Sequence, residues 1–194
     1  MIMKLKISKK NIGFTLVETL VAISILSLSI VATFTAVQNG LQNSLIAKDQ
    51  TTAFYLAQEA MEFIKNKRDN NALYTINGGL PVHGWLYGLS DAVTDPCRFG
   101  KICKIDVTVN SPNDVLYVGN YVNDSSWDQS SFLNQSSTSL FGYTSGWNPT
   151  IFKREIKFRE IVTNKEVEVT IRMSWTSRWG VKSFLATETL FNRQ

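Results

Sequence analysis

GFTLVETLVAISILSLSIVATFTAV, residues 13–37, is the stretch on which the fold turns. From Phe14 to Val37 it holds one charge, Glu18, and no proline. About 20 apolar residues in a helix suffice to cross a bilayer, so this run is long enough. Before it stands MIMKLKISKKNIG, short, basic and free of acids. Positive charge ahead of an apolar helix predicts that the N-terminus stays cytoplasmic. A secretory signal would have a shorter apolar core and then a small-x-small cleavage site. Here Gln38-Asn39-Gly40 follows without one. A plain membrane anchor fits the length but leaves Glu18 unexplained. A carboxylate in an apolar segment costs of order a few kcal/mol at mid-membrane, and less near an end.

The hexamer Gly13-Phe14-Thr15-Leu16-Val17-Glu18 resembles the prepilin signal of type IV pilins and type II secretion pseudopilins. Gly13 stands before the family's cleavage point, Phe14 after it, and Glu18 is the fifth residue of the mature chain. The resemblance implies that prepilin peptidase cuts between Gly13 and Phe14 and methylates the new Phe14 amine. It further implies that Glu18, one turn along the helix, faces the Phe14 amine of a neighbouring subunit or its own. Opposite charges attract far more strongly in an apolar bundle than in water. An unpaired carboxylate there is expensive, so such a pair acts as a register device rather than a large source of stability. Without the flanking Gly-Phe, Glu18 would read as an acid placed favourably at a helix start.

Composition limits the alternatives. The 194 residues suffice for one domain with a real core or a small domain plus an extension. At 44% hydrophobic and 19% charged, the chain is neither a disordered tail nor a polytopic membrane protein. The net charge of +4 is all in the leader: Lys4, Lys6, Lys9 and Lys10 leave 16 basic against 16 acidic side chains beyond residue 13. No domain-wide basic field remains to attract nucleic acid.

Between Gln38 and Asn70 there is again no proline, and Phe54, Ala57, Met61 and Ile64 recur at helical spacing. Gln58, Glu59, Glu62 and Lys65 lie mainly off that stripe, and Glu62 and Lys65 are spaced to pair weakly. Lys65, Lys67 and Arg68 suit a helix C-terminus, and Asp69-Asn70-Asn71 reads as a stop. One helix from about Phe14 to about Arg68 would measure roughly 80 Å. Many major pilins carry a proline where this chain has Thr35, and Gly40 is the weak point of the region. That departure, with the run Ala53 to Glu62 followed by Arg68-Asp69, is similar to minor pilins of the pilus-modification type and related minor pseudopilins.

Beyond residue 69 the chain is rich in Asn, Gly, Ser and aromatics. Asn77-Gly78-Gly79 is a turn signal, and residues 123–149 suggest long loops. Cys103, Ile105, Val107 and Val109 alternate with polar residues as in a half-buried strand, and Val115 to Val118 suggests a second. Phe152, Arg154, Ile156 and Phe158 alternate before a turn at Thr163-Asn164-Lys165. Val167, Val169, Ile171, Met173 and Trp175 then point one way, Arg178-Trp179-Gly180 turns, and a last strand runs from about Lys182 to Leu190. This antiparallel meander has one apolar face to meet the helix stripe. The expectation is an α+β fold: leader 1–13, helix 14–69 with a membrane half 14–37 and an amphipathic half 38–69, and a β head 70–194.

Candidate chemistry in the head is sparse. His83 stands alone, without a local nucleophile or orienting acid, and reads as a loop histidine. Cys97 and Cys103 are spaced to close a small disulfide loop, which needs an oxidising compartment, or else remain free thiols. Three scattered Cys and His residues cannot make a four-ligand zinc site. Asp124 and Asp128 could hold calcium, as some pseudopilins do, but no EF-hand pattern accompanies them. Trp127, Trp147, Trp175 and Trp179, with Tyr117, Tyr121 and Tyr143, read mostly as packing, with an adhesive surface as the alternative. Asn123-Asp124-Ser125 and Asn134-Gln135-Ser136 match the common glycosylation triplet.

The resemblance therefore implies a non-enzymatic filament subunit without metal or cofactor. It would be single-pass in the inner membrane with its head outside the cytoplasm, and later part of a pilus or periplasmic pseudopilus. Its partners would be prepilin peptidase, other pilin subunits and the inner-membrane assembly platform. An uncleaved single-pass tether for a binding domain is the alternative of a different class.

Overall fold

The computed structural model describes residues 13–79, 84–91, 95–108, 115–117, 127 and 130–192. It holds one long helix, α1 (Leu16–Ile76), and eight strands. These are β1 (Ile102–Ile105), β2 (Val115–Tyr117), β3 (Asn134–Gln135), β4 (Phe141–Gly142), β5 (Asn148–Pro149), β6 (Phe152–Val162), β7 (Glu166–Ser177) and β8 (Gly180–Phe191). The chain divides into two compact units, residues 1–46 and 47–194. The second unit is α+β: the C-terminal half of α1 packs on a five-stranded antiparallel sheet of order β2-β1-β6-β7-β8.

The helix outruns the expected stop at Asp69-Asn70-Asn71 by more than a turn, because the asparagine side chains bond elsewhere and do not compete for the local backbone. Asn70 bonds Asn66 one turn back. The buried Asn71 amide donates to the carbonyls of Trp85 and Tyr87 at 3.2 and 2.9 Å. The true end is Asn77-Gly78-Gly79. Gly78 takes φ +74°, and the Gly79 and Gly78 amides donate to Tyr74 and Thr75 carbonyls at 2.9 and 3.1 Å. That is a Schellman ending, which needs a residue free to enter the left-handed region. The last turn accordingly carries no basic residue, contrary to the expectation for Lys65, Lys67 and Arg68.

The buried face of the helix is Ala53, Leu56, Ala57, Ala60, Met61 and Ile64. Phe54, expected on the stripe, sits at its rim, half-exposed and stacked on Phe184 of β8 with ring centroids 4.5 Å apart. Small alanines at 53, 57 and 60 let the helix approach the sheet closely, so the bulky ring is displaced sideways. Lys65 pairs across to Glu188 at 2.8 Å rather than with Glu62 along the helix.

The meander follows the alternation of its sequence. Val167, Val169, Ile171, Met173 and Trp175 are all buried. The β6–β7 turn places Asn164 at φ 56°, a conformation asparagine tolerates. Strand β1 stops after Ile105, two residues short of the expected Val107. The Asp106 carboxylate accepts from the backbone of Thr108 at 3.0 Å and of Tyr143 at 2.8 Å, bending the chain out of the sheet. Val109 lies outside the described residues. Within 123–149, expected as loop, the described part forms a small second sheet of order β4-β3-β5. Its strands have two residues each, too few to display any period. Gly142 leaves room there: a Cβ would come within 2.7 Å of the Thr108 hydroxyl and 2.8 Å of the Asp106 carboxylate, so those side chains would have to shift.

Among the described residues Arg154 and Glu155 are the most deeply buried ionic side chains of the second unit. Arg154 is fully buried. Its Nη1 donates to the Leu56 carbonyl at 2.9 Å and to Glu59 at 2.8 Å, and its Nη2 donates to the Ile105 carbonyl at 2.8 Å. One guanidinium thus joins α1, β1 and β6, and the planar fork suits this division of bonds. Glu155 beside it is equally buried, accepting from the Ser130 amide at 3.0 Å, with Arg172 3.5 Å away.

The Tyr143 hydroxyl donates to the Arg154 carbonyl at 3.2 Å. Burial, opposed by the Arg154 charge, pushes its phenol up to about 12. Below pH of about 10 the phenol is neutral in both folded and unfolded chains, and the full stability is present. Between about 10 and about 12 only the unfolded chain ionises, so stability falls as pH rises, by up to about 1.4 kcal/mol per unit. Tyr143→Phe should therefore flatten this alkaline slope in denaturant titrations at pH 9 to 12. An unchanged slope would show that the phenol is hydrated.

Candidate cleavage and assembly site

Gly13, Phe14 and Thr15 precede the helix in non-helical backbone. Phe14 is 85% exposed, and a Cβ built on Gly13 meets nothing within 4 Å. Among the described residues no packing or backbone strain asks for glycine at position 13.

Helix α1 begins with a reciprocal cap. The Thr15 amide and hydroxyl both donate to the Glu18 carboxylate at 2.9 Å, and the Glu18 amide donates back to the Thr15 hydroxyl at 3.3 Å. This is the capping box, which satisfies otherwise orphaned amides at a helix start. This cap is not among the sequence expectations above, although its signal, Thr-x-x-Glu ahead of an apolar run, stands plainly at residues 15–18. Glu18 thus has a local partner in this chain, and the cap sets its carboxylate beside the residue that follows Gly13-Phe14.

After Glu18 no charged residue occurs until Lys48. The hydroxyls of Thr19, Ser24, Ser29, Thr33 and Thr35 donate to carbonyls three or four residues back in the helix. These five hydroxyls are satisfied by their own helix, as an apolar surrounding demands. The side chains around them, from Leu16 to Leu45, are exposed. This helix is long and apolar enough to cross a membrane by length and composition. It continues without interruption through Thr35 and Gly40.

The head carries the remaining candidates. Cys97 and Cys103 are joined in a disulfide with Cα atoms 5.1 Å apart. It ties the segment before β1 to that strand. Trp175 is buried in the sheet core, the Trp127 ring lies 5.9 Å from the Arg172 guanidinium, and Trp179 stands exposed on the β7–β8 turn. Trp175 is thus packing, as expected, and Trp179 faces solvent. Asn134 donates to the Thr144 carbonyl from within the small sheet. Among the described residues no group of three or more His, Cys, Asp or Glu could hold a metal ion. His83, Tyr121, Asp124 and Asp128 lie outside the described residues.

No curated protein and no solved structure matches the chain. Residues 8–34 match the family model of the prokaryotic N-terminal methylation motif. That segment spans the end of the basic N-terminal stretch, Gly13-Phe14, the Thr15–Glu18 cap and most of the apolar run, so the chain carries the signature of type IV prepilins at the head of its long helix.

Proposed function

We propose that this protein is a minor subunit of a type IV pilus-like filament, made as a prepilin and built into the filament through α1. The coarser identity, a type IV pilin-like or pseudopilin subunit, follows from the methylation motif together with the apolar helix. The observation that carries the reading is the register of three features: an open Gly13–Phe14 bond, a capped helix start at Glu18, and an uncharged helix beyond it. The chain enters the inner membrane with its head outside the cytoplasm. Prepilin peptidase then cuts after Gly13 and methylates Phe14. The new Phe14 amine lies near the Glu18 cap, and the carboxylate exchanges local donors for the amine of a neighbour during assembly. The Cys97–Cys103 bond suits a head folded in an oxidising compartment. The role is structural, with no substrate turned over by the head.

Intact-mass analysis of the protein purified from its own host tests this directly. The expected chain begins at methylated Phe14; a retained leader in cells with active prepilin peptidase would defeat the reading. Glu18→Ala should be processed normally yet incorporate poorly into filaments, by about tenfold or more, because the cationic amine then lacks its carboxylate in an apolar bundle. Normal incorporation would remove the assembly role of Glu18. A type II secretion pseudopilin is the second reading, favoured by Thr35 in place of the proline of major pilins.

A further inference from the structure

The face of the five-stranded sheet turned away from the buried stripe of α1 carries its own pattern. Register sets β6, β7 and β8 in rows there. Lys153, Ser174 and Ser183 form one row, and Glu155, Arg172 and Leu185 form the next. On the other side Thr176 pairs with Val181, and the Thr176 amide donates to the Ile151 carbonyl at 3.3 Å. Neighbours in a row stand about 5 Å apart, and successive rows about 7 Å. An open groove of about 420 Å³ lies over the Lys153 row, walled by Phe132 and Ile151. That volume falls in the range of small-molecule sites, about 300–1,000 Å³.

The groove is lined by cations, hydroxyls and apolar side chains, and by no carboxylate. Ser174 lines it although only 2% exposed, so it forms the floor. A hydroxyl at that depth is costly unless bonded, and an acceptor seated in the groove meets it. The charges select the occupant. Arg172 stands 3.5 Å from the buried Glu155 carboxylate, which balances it at close range. Lys153 has no carboxylate partner among the described residues; its ammonium lies 4.9 Å from the Phe132 ring centroid. Two cations against one carboxylate leave a single positive charge at the groove. A monoanion balances it, whereas a phosphate dianion would carry an uncompensated charge away from water. The exposed apolar groups Phe132, Ile151 and Val181 stand ready to be covered by the rest of the ligand.

We propose that this groove binds a singly charged carboxylate on an apolar body. Lys153 and the Ser174 and Ser183 hydroxyls take the carboxylate, and Phe132, Ile151 and Val181 take the body. A free organic acid and the C-terminal residue of a polypeptide both present this chemistry. The site belongs to the head alone and stands whether or not the N-terminus is processed.

The test is methyl NMR of the full mature chain in neutral detergent, titrated with phenylacetate. The Ile151 and Val181 methyl signals should shift and saturate with a Kd on the order of a millimolar, while those of the buried Val169 and Ile171 stay in place. Phenylacetamide has nearly the same body without the charge and should bind at least about tenfold more weakly. Lys153→Gln should weaken phenylacetate binding by as much, the loss expected of one charge-assisted hydrogen bond. Lys153→Arg should retain most of it, and both variants should unfold at the wild-type denaturant midpoint. Acetyl-glycyl-phenylalanine, set against its C-terminal amide, separates the sources. Tighter binding than phenylacetate assigns the groove to a polypeptide end, and equal or weaker binding assigns it to a free acid. No saturable shift at Ile151 and Val181, equal binding of phenylacetamide, or undiminished binding by Lys153→Gln would overturn the proposal. So would tighter binding of inorganic phosphate than of phenylacetate.

Discussion

Gly13→Val should leave the chain in the membrane with all of its leader attached. The fold gives no reason for glycine at this position: a Cβ there meets open space. Under the proposed processing, any loss on substitution is thus a loss of recognition by prepilin peptidase and not of folding. A pocket shaped around glycine rejects one extra methylene by roughly 10–200-fold, and valine adds three carbons, so cleavage should effectively stop. Intact mass gives the readout: wild type beginning at methylated Phe14, the variant beginning ahead of it. The head of the variant should unfold at the same denaturant midpoint as wild type, which separates blocked processing from misfolding. Normal cleavage of the variant would mean that the peptidase does not read Gly13.

Arg154→Ala should cost the head about 4 kcal/mol, the largest stability loss expected from a single substitution in this chain. Arg154 heads the largest fully buried side chains and spans three elements. Its removal leaves a cavity, and it leaves the buried Ile105 carbonyl without this charged donor. Glu59, 39% exposed, can turn back to water and limits the loss. Arg154→Met refills most of the volume without restoring the bonds, so it should recover roughly half of the stability. The difference between the two variants measures packing against hydrogen bonding. Denaturant midpoints of the full chain in detergent provide the check; losses under about 1 kcal/mol for Arg154→Ala would show that the guanidinium is hydrated.

Much of the fold was legible in the chain because long elements repeat their period many times. Strand β7 alternates through Val167, Val169, Ile171, Met173 and Trp175, and each of the five is buried as the alternation requires. The turn at Arg178-Trp179 and the Asn77-Gly78-Gly79 signal were likewise readable, since glycine and short polar residues mark their conformations locally. The two-residue strands β3, β4 and β5 were not, because so few residues carry no period. The stop assigned to Asp69-Asn70-Asn71 failed for a different reason. Asparagine ends helices when its amide competes with the backbone, but Asn71 is drawn to carbonyls 14 and 16 residues onward, a contact no local pattern records. At the candidate site the Gly13-Phe14 pair and Glu18 were legible, and the Thr15–Glu18 cap was legible but passed over.

The amino-acid order alone settles the uncharged helix from Thr19 to Ala47, the Gly13-Phe14 pair ahead of it and the meander of β6 to β8, because each depends on neighbours a few residues apart. Only the folded head decides that Arg154, which alternation places among apolar residues, is an ion tied to Leu56, Glu59 and Ile105. It alone decides that Phe54 leaves the helix stripe for Phe184 and that β8 is left as an edge. Those outcomes depend on which distant groups arrive at one place. A buried charge persists only where several elements bring it acceptors together, and that coincidence is a property of the packed chain.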